Sequence, residues 1–237
     1  MPDAQDALER FAVGVPYEPL AAAFLEFDRW TGDDPVLLLA EAAASTTGQS
    51  FLGGVKPTVE RFRESFVDTG RVESVADLAS IDRADDDLID AFGARRKRHV
   101  LCELARVLAE RPESDDLESI RSWAAEADPY RYEDDPVGAI SGVGPSSFQF
   151  LRQLAGVDTV TPDPTVTRLL ESLEAALGEP TLERATDDDL RTIAACEWLA
   201  AVTDYRLLEI DRIAWWTFTD ADEREAVCSI HRIALEQ

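Results

Sequence analysis

Cysteine and histidine are scarce in this sequence, and their positions exclude several classes of site. Cys102, Cys196 and Cys228 are scattered among apolar neighbours, form no Cys-x-x-Cys pair and cannot all pair within one chain. We interpret them as ordinary buried thiols. His99 and His231 are too few and too far apart in sequence to suggest a zinc site. The sequence therefore predicts no metal site, no iron–sulfur cluster and no other cofactor.

Long apolar runs are also absent. Charged residues interrupt every apolar stretch well short of the roughly 20 residues that a membrane-spanning helix needs. The first residues are acidic and lack the basic and apolar regions of a secretory signal. We therefore expect a cytoplasmic protein with no membrane association. A chain of 237 residues with 45% hydrophobic content can bury a core in one large or two small domains.

Positive charge is in short supply. The chain has 23 Lys and Arg against 48 Asp and Glu, for a net charge of −25, and Lys56 and Lys97 are its only lysines. Such a balance opposes nucleic-acid binding, because phosphate repels an acidic surface. The acidic residues are spread along the whole chain, however, which is typical of halophilic proteins. At molar salt the screening length is about 3 Å, so the net charge does not exclude a nucleic-acid partner.

The patterns that are present are helical, and we predict an all-α fold. Apolar residues recur at helical spacing over 101–108 and 166–177. The segments 84–88 and 185–190 place acidic capping residues before apolar runs and predict two helix starts. Glycine, proline and polar clusters predict loops at three places, namely 48–57, 128–136 and 156–164.

The most informative segment is Ile140–Phe148. Gly142 and Gly144 flank Val143, which permits a tight turn with outward-facing backbone amides, and Pro145 suits the first position of a helix. Such a helix N-terminus can hold a phosphate. We expect a bulky residue at position 144 to disturb the turn and the phosphate site together. The alternative is a simple corner between two helices that binds nothing.

An aspartate follows at a characteristic distance. Asp163 lies 163 − 146 = 17 positions after Ser146, behind one helix and an extended turn, and just before an amphipathic helix. This order resembles the helix-hairpin-helix and Gly-Pro-Asp region of the endonuclease III-like DNA glycosylases. The segment 75–108, in which a glycine and basic residues introduce a helix, is similar to the part of that family preceding the hairpin. The resemblance covers roughly residues 35–170.

The resemblance implies two helical domains with a DNA-binding cleft between them. One domain, 34–156, would carry the hairpin, and the other would combine 1–33 with 157–237. Double-stranded DNA would be the partner of a monomeric protein, and the target nucleotide would leave the base stack. The hairpin residues expected to contact DNA are Gly142, Val143, Gly144, Ser146 and Ser147.

Asp163 is the implied catalytic residue. Its carboxylate would stabilise the cationic sugar that forms as the base departs, or orient the attacking water. The same aspartate, just before Pro164, is also a good helix N-cap, and both roles can hold together.

The sequence departs from this family at several positions. Relatives that cleave the strand carry a hairpin lysine that forms a Schiff base; this chain has Ser146 there. Bulky Phe148 replaces a small residue, Gln49 is displaced from the position where relatives place a DNA-contacting glutamine, and the cysteine signature for iron–sulfur is missing. The sequence therefore predicts base release without strand cleavage, if catalysis is retained.

Basic and aromatic residues give two further candidate contacts. Arg95, Arg96 and Lys97 open the densest positive cluster in the chain. They would hold the phosphate backbone or, alternatively, form a solvated helix start whose arginines pair with the acidic residues 85–90. Tyr130 and Tyr132 are weaker candidates for a pocket wall.

Three functions are consistent with these observations. The first is a monofunctional DNA N-glycosylase that acts on a damaged or mismatched base. The second is a non-catalytic helix-hairpin-helix protein that binds DNA. The third is a helical scaffold without a DNA role, which the net charge favours. Asp163 favours the first over the second, and the hairpin favours both over the third.

Overall fold

The computed structural model of the protein describes residues 3–177, 182 and 185–231. All regular structure in this part of the chain is helical, without a strand, so the predicted all-α class is confirmed. None of the described helices is long and apolar enough to cross a membrane.

The chain divides into two compact units. The central unit is Thr31–Val157, and the terminal unit combines Met1–Trp30 with Asp158–Gln237. Helices α3 to α9 belong to the central unit, and α1, α2 and α10 to α13 belong to the terminal unit, with these bounds: α1 Ala4–Ala12, α2 Tyr17–Leu25, α3 Pro35–Ser45, α4 Lys56–Phe62, α5 Val75–Ala79, α6 Asp86–Phe92, α7 Arg95–Ala109, α8 Asp116–Glu126, α9 Pro145–Leu154, α10 Pro164–Leu177, α11 Asp189–Val202, α12 Leu207–Phe218 and α13 Ala221–Ile230.

The central unit is built around α3. This helix is apolar on nearly every side, and all its residues from Val36 to Ala44 are buried. It begins where the Asp34 side chain accepts hydrogen bonds from the amides of Val36 and Leu37, at 2.9 and 3.1 Å. Helices α4, α7 and α9 pack against it. The helix that carries the basic cluster and the helix that follows the hairpin therefore share one core.

The terminal unit buries the periodic face predicted over 166–177. Val166, Leu169 and Leu173 of α10 are fully buried, and α10 packs against α1, α11 and α12. Cys196 of α11 lies in the same core, and all three cysteines are buried and unpaired, as predicted. Burial raises the pKa of the Cys196 thiol, with smaller contributions from nearby carboxylates, so it stays protonated.

Both predicted helix starts are confirmed. The Asp85 carboxylate accepts from the Leu88 amide at the start of α6, and Asp188 accepts from the Arg191 amide at the start of α11. Each caps an apolar run by supplying an acceptor for a first-turn amide.

The predicted loops agree only in part. The segment 156–164 is irregular up to α10, as expected. The loop predicted over 48–57 is wrong beyond Ser50, because Phe51–Val55 forms a π-helical turn that leads into α4. The Ser50 hydroxyl accepts from the Gly53 amide at 3.0 Å and caps this turn despite the two glycines. Pro129–Asp134, also predicted as a loop, forms 3-10 turns.

Candidate functional site

The hairpin before α9 is a closed turn. The Val143 amide donates to the Ile140 carbonyl at 2.9 Å, and Gly144 is the extended N-cap of α9, which begins at Pro145. No side chain caps this helix end. Because first-turn amides have no partner within their own helix, this end can accept an anion.

The two glycines of the turn have different roles. Gly142 has a φ of +105°, and a Cβ there would lie 3.1 Å from both Arg96 Nε and Val100 Cγ2, so this position requires glycine. Gly144 has a φ of −124° and a ψ of −178°, which any residue adopts, and a Cβ there would meet no atom within 4 Å. The expectation that a bulky residue at 144 disturbs the turn itself is therefore wrong. A side chain at 144 would instead cover the open surface beside the amides.

A hydrogen bond joins the hairpin to the start of α7. The Arg96 guanidinium donates to the Gly142 carbonyl at 2.8 Å, although 46 residues separate the two. Around this contact the central unit has a shallow concave surface, which we call the basic surface. Its lining combines Arg83, Arg95, Arg96, Arg98, His99 and residues 141–144 with one acidic residue, Asp82, and with Ala84 and Ile89. The structure thus brings together two groups that the sequence suggested separately.

The arginines of the basic surface are not neutralised in the way the alternative interpretation required. The acidic residues Asp85 and Asp87 pair with Arg71, at 2.8 and 2.5 Å. Within the described part of the chain, Arg95 and Arg96 form no ion pair. The interpretation that these arginines pair with the acidic residues 85–90 is therefore wrong, and the side chains of Arg95 and Arg96 are exposed to solvent.

Arg83 and His99 extend the basic surface; His99 ends the basic cluster seen in the sequence, whereas Arg83 was not singled out there. Arg83 donates to His99 Nδ1 at 2.7 Å and pairs with Glu103 at 2.9 Å. Because a guanidinium only donates, His99 Nδ1 is the acceptor in this contact. Arg83 lies before α6 and His99 lies in α7, and no sequence pattern links the two positions. Only the fold brings them together.

Lys97 does not share this surface. Its side chain is 2% exposed, and its ammonium donates to Gln49 Oε1 at 2.6 Å. Burial, and then the charge of Arg61, lowers the pKa of Lys97. The helical period explains the difference, since Arg96 and Lys97 lie about 100° apart around α7. The predicted DNA contact by Lys97 is therefore corrected. Its buried side chain instead binds Gln49, just before the π-helical turn.

The remaining hairpin residues lie where their helix begins. Val143, Ser146 and Ser147 are half-buried at the turn and in the first turn of α9. Phe148 is fully buried against Trp123, with ring centroids 5.4 Å apart, and against Tyr132 at 6.1 Å. Its bulk therefore lies in the core of the central unit.

Tyr130 and Tyr132 differ in exposure and contacts. Tyr130 is 45% exposed, whereas Tyr132 packs on Phe148 and donates its hydroxyl proton to Glu133 at 3.1 Å. The role of either ring as a pocket wall stays a prediction.

Asp163, in the terminal unit, is a helix cap. Its Oδ1 accepts from the Thr165 amide at 2.8 Å, the Thr165 hydroxyl at 2.7 Å and the Val166 amide at 3.0 Å. The predicted N-cap is therefore confirmed. The described residues place no hydrogen bond on Oδ2. Burial, followed by the charge of Asp211, raises the pKa of Asp163 against the lowering effect of these hydrogen bonds.

Asp211 is the residue that sequence analysis missed at this site. It is 3% exposed, and its Oδ2 accepts from the Thr161 amide at 2.7 Å. Its position in α12 gave a usable signal, because Asp211 falls on the same helical face as Leu208 and would be expected in the core. A buried carboxylate on an apolar face requires a partner, and searching for one would have indicated this site.

No group of His, Cys, Asp and Glu that could hold a metal ion occurs among the described residues. Comparisons with models of protein families, with curated proteins and with solved structures found no match.

Proposed function

We propose that this chain is a helix-hairpin-helix protein that binds double-stranded DNA and releases a base from it as a monofunctional DNA N-glycosylase. The observation that supports this most is the position of the hairpin. Its helix end, which no side chain caps, lies beside Arg95 and Arg96, which are exposed and have no carboxylate partner in the described part of the chain.

The basic surface suits a phosphate backbone. The α9 amides supply directed hydrogen-bond donors, and Arg95 and Arg96 supply charge that does not depend on base sequence. At high salt, the repulsion between DNA and the rest of this acidic chain is screened. The attraction of the arginines is screened as well, so they act only on phosphates in close contact. The position of the contacts, rather than the net charge, would then decide binding.

Asp163 suits the chemical step. One carboxylate oxygen, Oδ1, is held by three hydrogen bonds, which fixes the orientation of the group. Its other oxygen, Oδ2, would stabilise the positive charge that grows on the sugar as the base departs, or orient water toward it. The cap and the chemistry use different oxygens, so the two roles do not compete.

Salt dependence tests the binding surface. We expect Arg95→Ala to reduce the slope of log K against log salt by about 0.9, the value for one lost phosphate contact on duplex DNA. The matched control is Arg131→Ala, which removes an equally charged, exposed arginine that is paired with Asp134 at 3.1 Å. Equal slopes for the parent and both variants would contradict the proposed surface.

Covalent trapping tests the reaction type. With Ser146 at the position of the hairpin amine, no imine should form there, and borohydride should trap no DNA complex. Base release is measured on a panel of damaged and mismatched duplexes at high salt, with alkali added afterwards to reveal abasic sites. A trapped complex would contradict the monofunctional reaction.

A non-catalytic DNA-binding relative is the second candidate. It is favoured by one observation: Asp163 is fully explained as a helix cap in a half-buried position beside a second carboxylate. Duplex binding that depends on Arg95, without base release on any substrate of the panel, would establish it. Absence of binding as well would leave the scaffold hypothesis.

A further inference from the structure

Asp163 is carried by a very short turn. The Asp163 amide donates to the Thr161 carbonyl at 2.8 Å, which closes a three-residue turn around Pro162. Proline fixes its own φ near the value that such a turn needs. The direction of the Asp163 side chain is therefore set by whatever holds Thr161.

Thr161 is held by a buried carboxylate from α12. Asp211 Oδ2 accepts from the Thr161 amide at 2.7 Å, although the two residues are 50 positions apart. Asp211 Oδ1 pairs with Arg212, which also stacks on Phe24, with its guanidinium carbon 4.7 Å from the ring centroid. The anchor of the turn is thus itself fixed by an ion pair and by packing.

The anchor also acts through its charge. Burial raises the pKa of Asp163 most, and the negative charge of Asp211 raises it further. The helices packed against α10 bring Cys196 from α11, and Asp211 with Arg212 from α12. Cys196 is buried and protonated, so it adds no charge.

We propose that Asp211 is a positioning residue for the Asp163 carboxyl, and that it acts through its hydrogen bond to Thr161 and through its own charge. Only the consequence for base release rests on the proposed function. The orientation and titration of Asp163 are properties of the folded chain, and they can be measured without DNA.

The direct test is a titration of Asp163 in the full-length protein at high salt. Aspartate carboxyl carbons are labelled with 13C, and the Asp163 resonance is assigned by its loss in Asp163→Asn. In Asp211→Asn the amide oxygen can still accept from Thr161, but the charge is gone. We expect the Asp163 midpoint to move to lower pH. If the parent releases a base, the acidic limb of its pH–rate profile should move in the same direction.

Two further variants separate this role from a general loss of charge. Asp158 Oδ1 accepts from the Leu208 amide at 2.8 Å, so it ties the same segment of chain to α12. Asp158→Asn should leave the Asp163 midpoint in place. Arg212→Gln removes the cation that neutralises Asp211 and should move the midpoint to higher pH.

The outcomes are distinct. An unchanged midpoint in Asp211→Asn, or an equal change in Asp158→Asn, overturns the proposal. If Asp211→Asn does not fold, Arg212→Gln decides, and a midpoint that fails to rise overturns it. If the midpoints of the variants move as expected but the parent releases no base, the role of Asp211 is supported and only the proposed glycosylase activity is contradicted.

Discussion

Base release by Asp163→Asn is expected to be about 100- to 1000-fold slower than by the parent, the usual loss when a charge-stabilising group is removed from an active site. The fold should change little. Asparagine caps a helix about as well as aspartate, and its side-chain oxygen can accept the same amides that Oδ1 accepts now. The measurement is single-turnover base release alongside the free energy of unfolding.

The pH dependence of stability supplies the control for this prediction. The pKa of Asp163 is raised above its ordinary value of 3.8, so ionisation of this group opposes folding. This destabilisation is absent below the pKa of the unfolded chain and is complete above the raised pKa of the folded chain. The stability of Asp163→Asn relative to the parent should therefore increase as the pH rises through that interval. Unchanged base release in this variant would remove Asp163 from the mechanism.

Duplex binding by Gly144→Val is expected to be about 10- to 100-fold weaker than by the parent, the effect of losing a hydrogen bond to a charged group. Valine fits the extended backbone at 144 and meets no neighbour, so the turn should persist. Its side chain would stand beside the α9 amides and keep a phosphate away from them. The loss of stability should stay near 1 kcal/mol, because valine is a poorer cap than glycine.

Gly142→Ala is the matched comparison. This substitution places a Cβ 3.1 Å from Arg96 and Val100 on a backbone with positive φ, so it should cost stability as well as binding. Both variants are compared by DNA titration and by chemical denaturation. If Gly144→Val binds like the parent while Gly142→Ala is weakened, the turn matters only as structure and the amides do not touch DNA.

The helices and their starts could be predicted because their causes are local. Leu169 and Leu173 lie at helical spacing, and Asp85 and Asp188 sit directly before the amides they cap. The π-helical turn at Phe51 could not be predicted in this way, because Gly53 and Gly54 indicate a loop more strongly than Ser50 indicates a helix cap.

The composition of the candidate site was less predictable because it depends on contacts between distant segments. Arg95 and Lys97 look alike in the sequence, and only the packing of α7 decides that one is exposed and the other is buried. The predicted pairing of Asp85 with the basic cluster was also wrong, since Asp85 pairs with Arg71, which lies before α5. Asp163 had a local pattern that predicted its role as an N-cap, whereas the contact between Asp211 and Thr161 spans 50 positions and forms only in the fold.

The burial of Lys97 has a practical consequence for bioconjugation. The chain has two lysines, and Lys97 is enclosed beside Gln49. Lys56 pairs with Glu60, but its side chain is 26% exposed, so it is the lysine more accessible to amine-reactive reagents. An amine-directed fluorophore should therefore attach at Lys56 in preference to Lys97. Any adduct formed by a lysine amine of this chain would map to one of two residues, and a single peptide digest would distinguish them.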